Sequence, residues 1–318
     1  MGKKIGLVFA GGGGKGAYQI GVWKAFKEYG VADNIQAVAG SSVGALNGAL
    51  FVQGDLTAAK QLWLSISSDK ILSCDNSLVR KIAVELGSNS RILKWIDKMK
   101  NHGIFSRSGL KKIIKQDLDL DYLSSSDISL YAAACRLPSL QVEYFNLNGC
   151  AKERFISILL ASSALPIIFG REKIGGKSYL DGGIKDNTPV KPLYNEGCDL
   201  VFVVYLSQKL SNRDFIDKSN YPNCQIVEIV PQEELGSLVN GTLDFTGSGA
   251  FRRIEQGYRD TKNILEPIFK MVEQGAKIDS VLDKLRNDER EFQKQQRNIL
   301  KQQEQARDRA LRLDNKKK

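Results

Sequence analysis

The motif Gly40-Ser41-Ser42-Val43-Gly44 contains a serine whose surroundings suit nucleophilic chemistry. It matches Gly-x-Ser-x-Gly, a pattern in which the serine lies on a sharp turn between a strand and a helix. The pattern is only moderately specific, but an apolar strand signal precedes it and a helical signal follows it. We therefore predict that Ser42 is the nucleophile and that Gly40 and Gly44 let the strand and the helix approach closely.

A glycine-rich loop lies upstream, also between a strand signal and a helix signal. It consists of Gly11, Gly12, Gly13, Gly14, Lys15 and Gly16. Uncovered backbone N–H groups at a helix N-terminus bind anions. A dinucleotide site needs an acidic residue where this chain has Gly40, and a Walker loop needs Ser or Thr where it has Gly16. We predict an oxyanion hole and keep nucleotide binding as an alternative.

The base that accepts the serine proton has two candidates. His102 is the single histidine; it follows Asp97 in a polar helical stretch, which is typical of a surface residue. Asp181 follows an apolar strand signal and precedes Gly182 and Gly183. An ordinary aspartate, with a pKa of about 3.9, is a weak base toward an alcohol, so Asp181 would need dehydration and oxyanion stabilisation. Taken alone, this motif is typical of a plain turn.

In this order, the three motifs resemble those of the patatin-like phospholipases. Two flanking segments are also similar, 161–166 with Phe169 and 187–190, and the resemblance covers about residues 5–195 with a weaker echo at 243–245 and 255–260. It implies a dyad of Ser42 and Asp181, an oxyanion hole near Gly12 and Gly13, and hydrolysis of glycerolipid esters without a metal or other cofactor. Lys15 occupies the basic position of the loop, and its role stays open.

Alternating strand and helix signals predict an α/β fold with a mainly parallel sheet, and the resemblance implies a three-layer α/β/α sandwich. We predict a catalytic domain over residues 1–275 and a basic helical extension over 276–318, with a break near Gly275. Residues 67–126 are mostly helical and form a candidate lid or acyl-chain wall. Its apolar residues, which are more often core, include Ile92, Leu93, Trp95, Ile96 and Met99.

Composition and charge suit a protein of a reducing compartment. The five cysteines are irregularly spaced, which favours free thiols over disulfides or a metal site. Neither a signal peptide nor a membrane-spanning stretch is expected. The net charge is +10, and residues 284–318 hold twelve Lys or Arg against six Asp or Glu. We predict a cytoplasmic protein that binds peripherally to the inner membrane surface and has no specific nucleic acid partner.

The extension carries a sparse apolar stripe. Leu285, Phe292, Ile299, Ala306 and Leu313 recur every seven residues, while the companion positions Glu289, Gln296 and Gln303 are polar. A coiled coil needs two apolar residues per heptad, so the stripe favours a helix that lies on the protein body or on a second subunit.

We predict a lipid acyl hydrolase of the phospholipase A or lysophospholipase type. Its candidate partners are a phospholipid membrane, a second copy, and a small-molecule or protein activator. The alternative is a catalytically silent lipid-binding or scaffold protein.

Overall fold

The computed structural model describes residues 2–66, 108–165, 170–208, 214 and 216–314. Several sequence-based predictions fall outside these residues: those for Asp97, His102 and Phe169, and those for the apolar residues between 92 and 99. The chain divides into two compact units, Met1–Lys262 and Asn263–Lys318.

The predicted alternation of strands and helices is present in the structure. Among the described residues, the strands are β1 (Ile5–Phe9), β2 (Ile35–Ser41), β3 (Ser129–Leu137), β4 (Gln141–Asn146), β5 (Glu172–Ile174), β6 (Lys177–Asp181), β7 (Leu200–Val204) and β8 (Gln225–Ile229). The α-helices are α1 (Ala17–Glu28), α2 (Val43–Gln53), α3 (Leu56–Ser65), α4 (Ser108–Asp117), α5 (Leu120–Ser125), α6 (Lys152–Ser162), α7 (Lys191–Asn195) and α8 (Gly247–Asp314).

All eight of these strands form one mixed sheet. Its order is β5-β6-β3-β2-β1-β7-β8, with β4 paired to β3. The neighbours from β3 through β2, β1 and β7 to β8 are parallel, whereas the pairings of β4, β5 and β6 are antiparallel. The prediction of a mainly parallel sheet is confirmed. Three-residue β5 escaped prediction because it is too short for a periodic signal.

Helices cover both faces of the sheet, which follows from the alternation of strand side chains. On one face, Val8 of β1 and Val203 of β7 are buried in a cluster with Leu193 of α7. On the opposite face, the ring of Phe202 lies 5.0 Å from that of Phe26 in α1. The predicted three-layer α/β/α arrangement is therefore confirmed.

The last helix, α8, runs from Gly247 to Asp314 without interruption, so the predicted break near Gly275 is wrong. A single glycine costs a helix only about 1 kcal/mol relative to alanine, and the good helix formers around it compensate. Pro267 also lies inside α8. Among the described residues, no helix is long and apolar enough to cross a membrane.

Candidate active site

Ser42 lies on a strained turn between β2 and α2. Its backbone has φ 56° and ψ −127°, a combination that costs a residue with a side chain roughly 1–3 kcal/mol. The flanking glycines permit this turn: a Cβ atom on Gly40 would lie 2.3 Å from the carbonyl carbon of Gly44, and one on Gly44 would lie 2.0 Å from the carbonyl oxygen of Phe9. Such strain at the end of a strand is typical of a nucleophile elbow.

The register of β3 brings Asp181 next to this turn. β2 pairs with β3 as far as Ser41, which lies opposite Ala133. β6 then continues along the same edge from the other direction, and its last residue, Asp181, lies opposite Ala134. The two strands meet end to end at consecutive positions of β3. The backbone must leave the sheet at the end of each strand, through Ser42 after β2 and through Gly182 after β6.

The Asp181 carboxylate is buried, with only 1% of the residue exposed. Its Oδ1 atom accepts a hydrogen bond of 2.8 Å from the backbone N–H of Gly183, which fixes the rotamer. Both glycines after it are sterically required. A Cβ atom on Gly182 would lie 2.4 Å from the carbonyl oxygen of Ala133, and one on Gly183 would lie 2.6 Å from Oδ1 of Asn187.

The C-terminal end of α6 holds both strand ends. The backbone N–H of Ser42 donates to the hydroxyl of Ser162 at 3.0 Å, and the backbone N–H of Asp181 donates to the carbonyl of Ala164 at 2.9 Å. Ser162 and Ala164 belong to the segment that resembles the family. They therefore connect the backbone of Ser42 with the backbone of Asp181.

Asn187 orients the first peptide plane of the glycine loop. Its Oδ1 atom accepts from Gly11 N–H at 3.0 Å, and its Nδ2 donates to the Gly11 carbonyl at 3.3 Å. Asp214 fixes this amide by accepting from Nδ2 at 2.7 Å. Because a trans peptide directs its C=O and N–H oppositely, holding the Gly11 carbonyl points the Gly12 N–H away from Asn187.

A hydrogen bond within the loop orients the next peptide plane. The backbone N–H of Lys15 donates to the Gly12 carbonyl at 3.3 Å, so the Gly13 N–H points in the opposite direction. Gly13 has φ 57°, and a Cβ atom there would lie 2.2 Å from the carbonyl oxygen of Thr242. Gly13 and Ser42 line the same cavity.

A buried chain of polar side chains supports the loop from beneath. Trp63 Nε1–H donates to Asn47 Oδ1, and Asn47 Nδ2 donates to the Gly16 carbonyl at 2.9 Å and to Gln19 Oε1 at 2.7 Å. Gln19 in turn donates to the Ala10 carbonyl at 2.7 Å. Buried amides fully engaged in this way rigidify the backbone that they hold, so both ends of the loop are fixed.

The side chain of Lys15, within the loop, is half-buried. Burial lowers the pKa of its ammonium group, Glu234 works against that shift and Arg253 adds to it. A Cβ atom on Gly241 would lie 2.8 Å from Lys15 Cε, so the side chain lies against the segment 235–245, whose other residues also contact the loop.

An apolar cavity of about 90 Å³ opens beside Ser42. A volume several times that needed for one water molecule and an almost wholly apolar wall suit a hydrocarbon chain. Its walls come from α2, α3, α4 and the segment 235–245, with Leu46, Leu62, Ile113 and Phe245 as representatives. Within the predicted lid or wall, residues 108–126 are described, and α4 lines the cavity.

Sequence reasoning assigned no role to the side chains that orient the glycine loop. Asn187 lay in a segment noted for its resemblance, but Gln19, Asn47 and Arg253 were not singled out. A signal existed for Arg253: it lies on α8 between Ala250 and Gly257, which are buried, so a charged residue occupies the apolar face of a helix. Such a residue is rarely buried unless it is paired.

The molecule so described is an α/β/α sandwich with a serine on a strained turn, a carboxylate at the end of an adjoining strand, and a glycine-rich loop whose peptide planes are held by buried side chains. The sequence model of a family described as patatin-like phospholipase matches residues 7–194, which is more than half of the chain. The chain belongs to the patatin-like phospholipase family.

Individual relatives are also similar to this chain, but the matching region is a small part of their own length. Lysophospholipase NTE1 of Chaetomium globosum is 29% identical over 204 residues, which cover 64% of this chain and 12% of that protein. Lysophospholipase NTE1 of Kluyveromyces lactis is 27% identical over 206 residues, with the same shares. The chain thus spans only about an eighth of these relatives. The crystal structure of VipD from Legionella pneumophila has a TM-score of 0.52 at 18% identity, covering 84% of this chain and 67% of that one, and shares the fold.

Proposed function

We propose that this protein hydrolyses the carboxylic esters of glycerophospholipids or lysophospholipids, with Ser42 as nucleophile and Asp181 as its proton acceptor. The observation that carries the proposal is the end-to-end meeting of β2 and β6 on β3, which brings Asp181 next to the strand end that precedes Ser42, while Ser42 itself lines an apolar cavity. Family membership and lysophospholipase-named relatives support the same chemistry.

In the first half-reaction, Ser42 Oγ attacks the ester carbonyl and its proton passes to Asp181. The carbonyl oxygen becomes an oxyanion, which accepts hydrogen bonds from the Gly12 and Gly13 N–H groups. Collapse of this intermediate breaks the bond to the alcohol, which leaves with the proton from Asp181. The acyl group remains on Ser42.

In the second half-reaction, water attacks the acyl-enzyme and gives its proton to Asp181. The same N–H groups stabilise the second oxyanion, and the fatty acid leaves as Ser42 regains the proton. The burial of Asp181 favours this role because a dehydrated carboxylate is a stronger base. The acyl chain occupies the apolar cavity throughout.

Assay of the purified chain with a fluorogenic phospholipid and a short-chain ester, with a chelator present, tests the proposal. Hydrolysis that survives the chelator and reaction of Ser42 with a fluorophosphonate are the expected results. Labelling without turnover would indicate an enzyme held off until a small-molecule or protein activator binds. A folded chain that shows neither labelling nor turnover would contradict the proposal and favour the silent lipid-binding or scaffold protein.

Filling the cavity should select against long acyl chains. We expect Leu46→Trp to lower kcat/KM for a long-chain phospholipid about 10–100-fold, because a changed apolar pocket is worth roughly 1–3 kcal/mol of discrimination. An acetate ester should lose less than about threefold, since it does not need the cavity. Leu56→Trp is the matched control, because Leu56 is half-buried at the start of α3. Equal losses for both substrates would show that acyl chains bind elsewhere.

For the second unit, we propose self-association through α8. Met271, Ile278, Leu285 and Phe292 are exposed at intervals of seven residues, and the companion positions Ile268 and Leu282 are apolar and exposed as well. Two of the four heptads between Ile268 and Phe292 have two apolar residues, whereas a long coiled coil needs two in each heptad, so the pattern favours a short contact between two copies of the helix. We also propose that the protein binds peripherally to a phospholipid membrane, which supplies its substrate.

Placing charge on the stripe should dissociate the assembly. We expect Leu285→Asp with Phe292→Asp to convert an oligomer into a monomer in sedimentation velocity, because buried charge at such positions is strongly unfavourable. Asn287→Asp with Gln293→Asp adds the same charge beside the stripe and should leave the assembly intact. A monomeric wild type would refute the proposal, and so would a truncation after Gly275 that changes neither activity nor assembly.

A further inference from the structure

Arg253 holds the glycine loop and the segment 235–245 together. The residue is only 5% exposed. Its guanidinium donates to one carboxylate and to four backbone carbonyls, and the five acceptors are Leu235 O, Asn240 O, Asp244 O, Asp244 Oδ2 and Gly14 O, at 2.8–3.4 Å. Of these, only Gly14 belongs to the loop beside Ser42.

Asp244 keeps the guanidinium in place. The two side chains form an ion pair of 2.8 Å. Burial works to raise the pKa of Asp244, but hydrogen bonds from Thr246 and from Arg253 outweigh it, and the pKa lies below its ordinary value. The Asp244 carboxylate is therefore ionised at neutral pH. Because the guanidinium group of Arg253 is planar and rigid, this ion pair fixes the directions of its N–H groups.

The bond to Gly14 connects Arg253 with the peptide plane that we assign to the oxyanion hole. Arg253 Nη1 donates to the Gly14 carbonyl at 3.4 Å, and in that same peptide the Lys15 N–H points the other way, to the Gly12 carbonyl at 3.3 Å. Because the Gly12 carbonyl accepts this bond, the peptide plane between Gly12 and Gly13, which carries the Gly13 N–H, is oriented as well.

We propose that Arg253 is a positioning residue for the Gly13 N–H group in the oxyanion hole. The inference rests on the proposed hydrolase function and deepens it. Arg253 acts on the reaction through two peptide planes and does not touch the substrate. Contacts with Thr242 and Asp244 fix the distance between the glycine loop and the segment 235–245. Arg253 fixes the direction in which the Gly14 carbonyl points.

A thionoester, in which sulfur replaces the carbonyl oxygen, separates positioning from simple loss of folded protein. Sulfur is a weak hydrogen-bond acceptor, so a well-oriented N–H group favours the ester over the thionoester. We expect Arg253→Met to lower kcat for the ester about 10–100-fold with KM nearly unchanged, because losing one oxyanion donor costs about 10²–10³-fold. The ratio of ester to thionoester rates should fall as well, toward a value set by chemistry alone.

Arg252→Met is the matched control, because Arg252 is exposed on the same helix, and it should keep both kcat and the ratio. Arg253→Lys should give an intermediate ratio, since it keeps the charge but lacks the planar fork; it also serves if Arg253→Met does not fold. An active wild type with the same ratio in the Arg253 variants overturns this inference alone. A wild type that neither hydrolyses esters nor labels at Ser42 overturns the proposed function and this inference with it.

Discussion

Replacing Ser42 with alanine is expected to abolish ester hydrolysis and fluorophosphonate labelling. Loss of a serine nucleophile lowers kcat by about 10⁴–10⁶-fold, because only oxyanion stabilisation and substrate binding remain. The measurement is turnover of a fluorogenic phospholipid together with mass spectrometry of the labelled peptide. Ser41→Ala, one residue earlier in the same motif and also buried, is the matched control and should keep labelling at Ser42.

The strain at Ser42 gives a second readout in the same experiment. Alanine has a Cβ atom and inherits the unfavourable φ of 56°, so Ser42→Ala should melt close to wild type. Glycine adopts positive φ without steric cost, so Ser42→Gly should be more stable than Ser42→Ala by about 1 kcal/mol. Both variants should be inactive. Activity in either one would show that Ser42 is not the nucleophile, and equal melting temperatures would show that the turn is unstrained.

The sequence was sufficient to predict the local parts of this site. Gly40 is recognisable because the contact that excludes a side chain there comes from Gly44, within five positions of the chain, whereas the contact at Gly44 comes from the distant Phe9. After β6, the contact that excludes a side chain at Gly182 comes from Ala133 on another strand, so the sequence alone is equally typical of a plain turn. The strands and helices on either side of the glycine loop and of Ser42 also follow from local periodicity, which is the strongest signal that a single sequence carries.

The arrangement between distant segments could not be predicted in the same way. That β2 and β6 share one edge of β3 depends on two long-range pairings, Ser41 with Ala133 and Ala134 with Asp181, and no residue type marks them. Arg253 reaches Gly14 across 239 positions, and its hydrogen bonds go to backbone carbonyls, which every residue possesses. The break predicted near Gly275 failed for the opposite reason: a local signal was given more weight than the helix formers around it.

Replacing Asp181 with asparagine is expected to lower kcat by at least about 10³-fold, with little change in melting temperature. Asparagine has the same shape, and its amide oxygen can still accept the Gly183 N–H bond, so the turn after β6 is preserved. It cannot take a proton from Ser42, so the alcohol stays a poor nucleophile. A burst assay measures the loss directly, because acylation and deacylation both need the base.

A histidine-dependent mechanism makes the contrary prediction, which one variant tests. His102 is the single histidine in the chain, so His102→Ala removes every imidazole and should leave the rate within about twofold of wild type if Asp181 is the base. Under a Ser-His mechanism, His102→Ala would be the inactive variant and Asp181→Asn would retain activity.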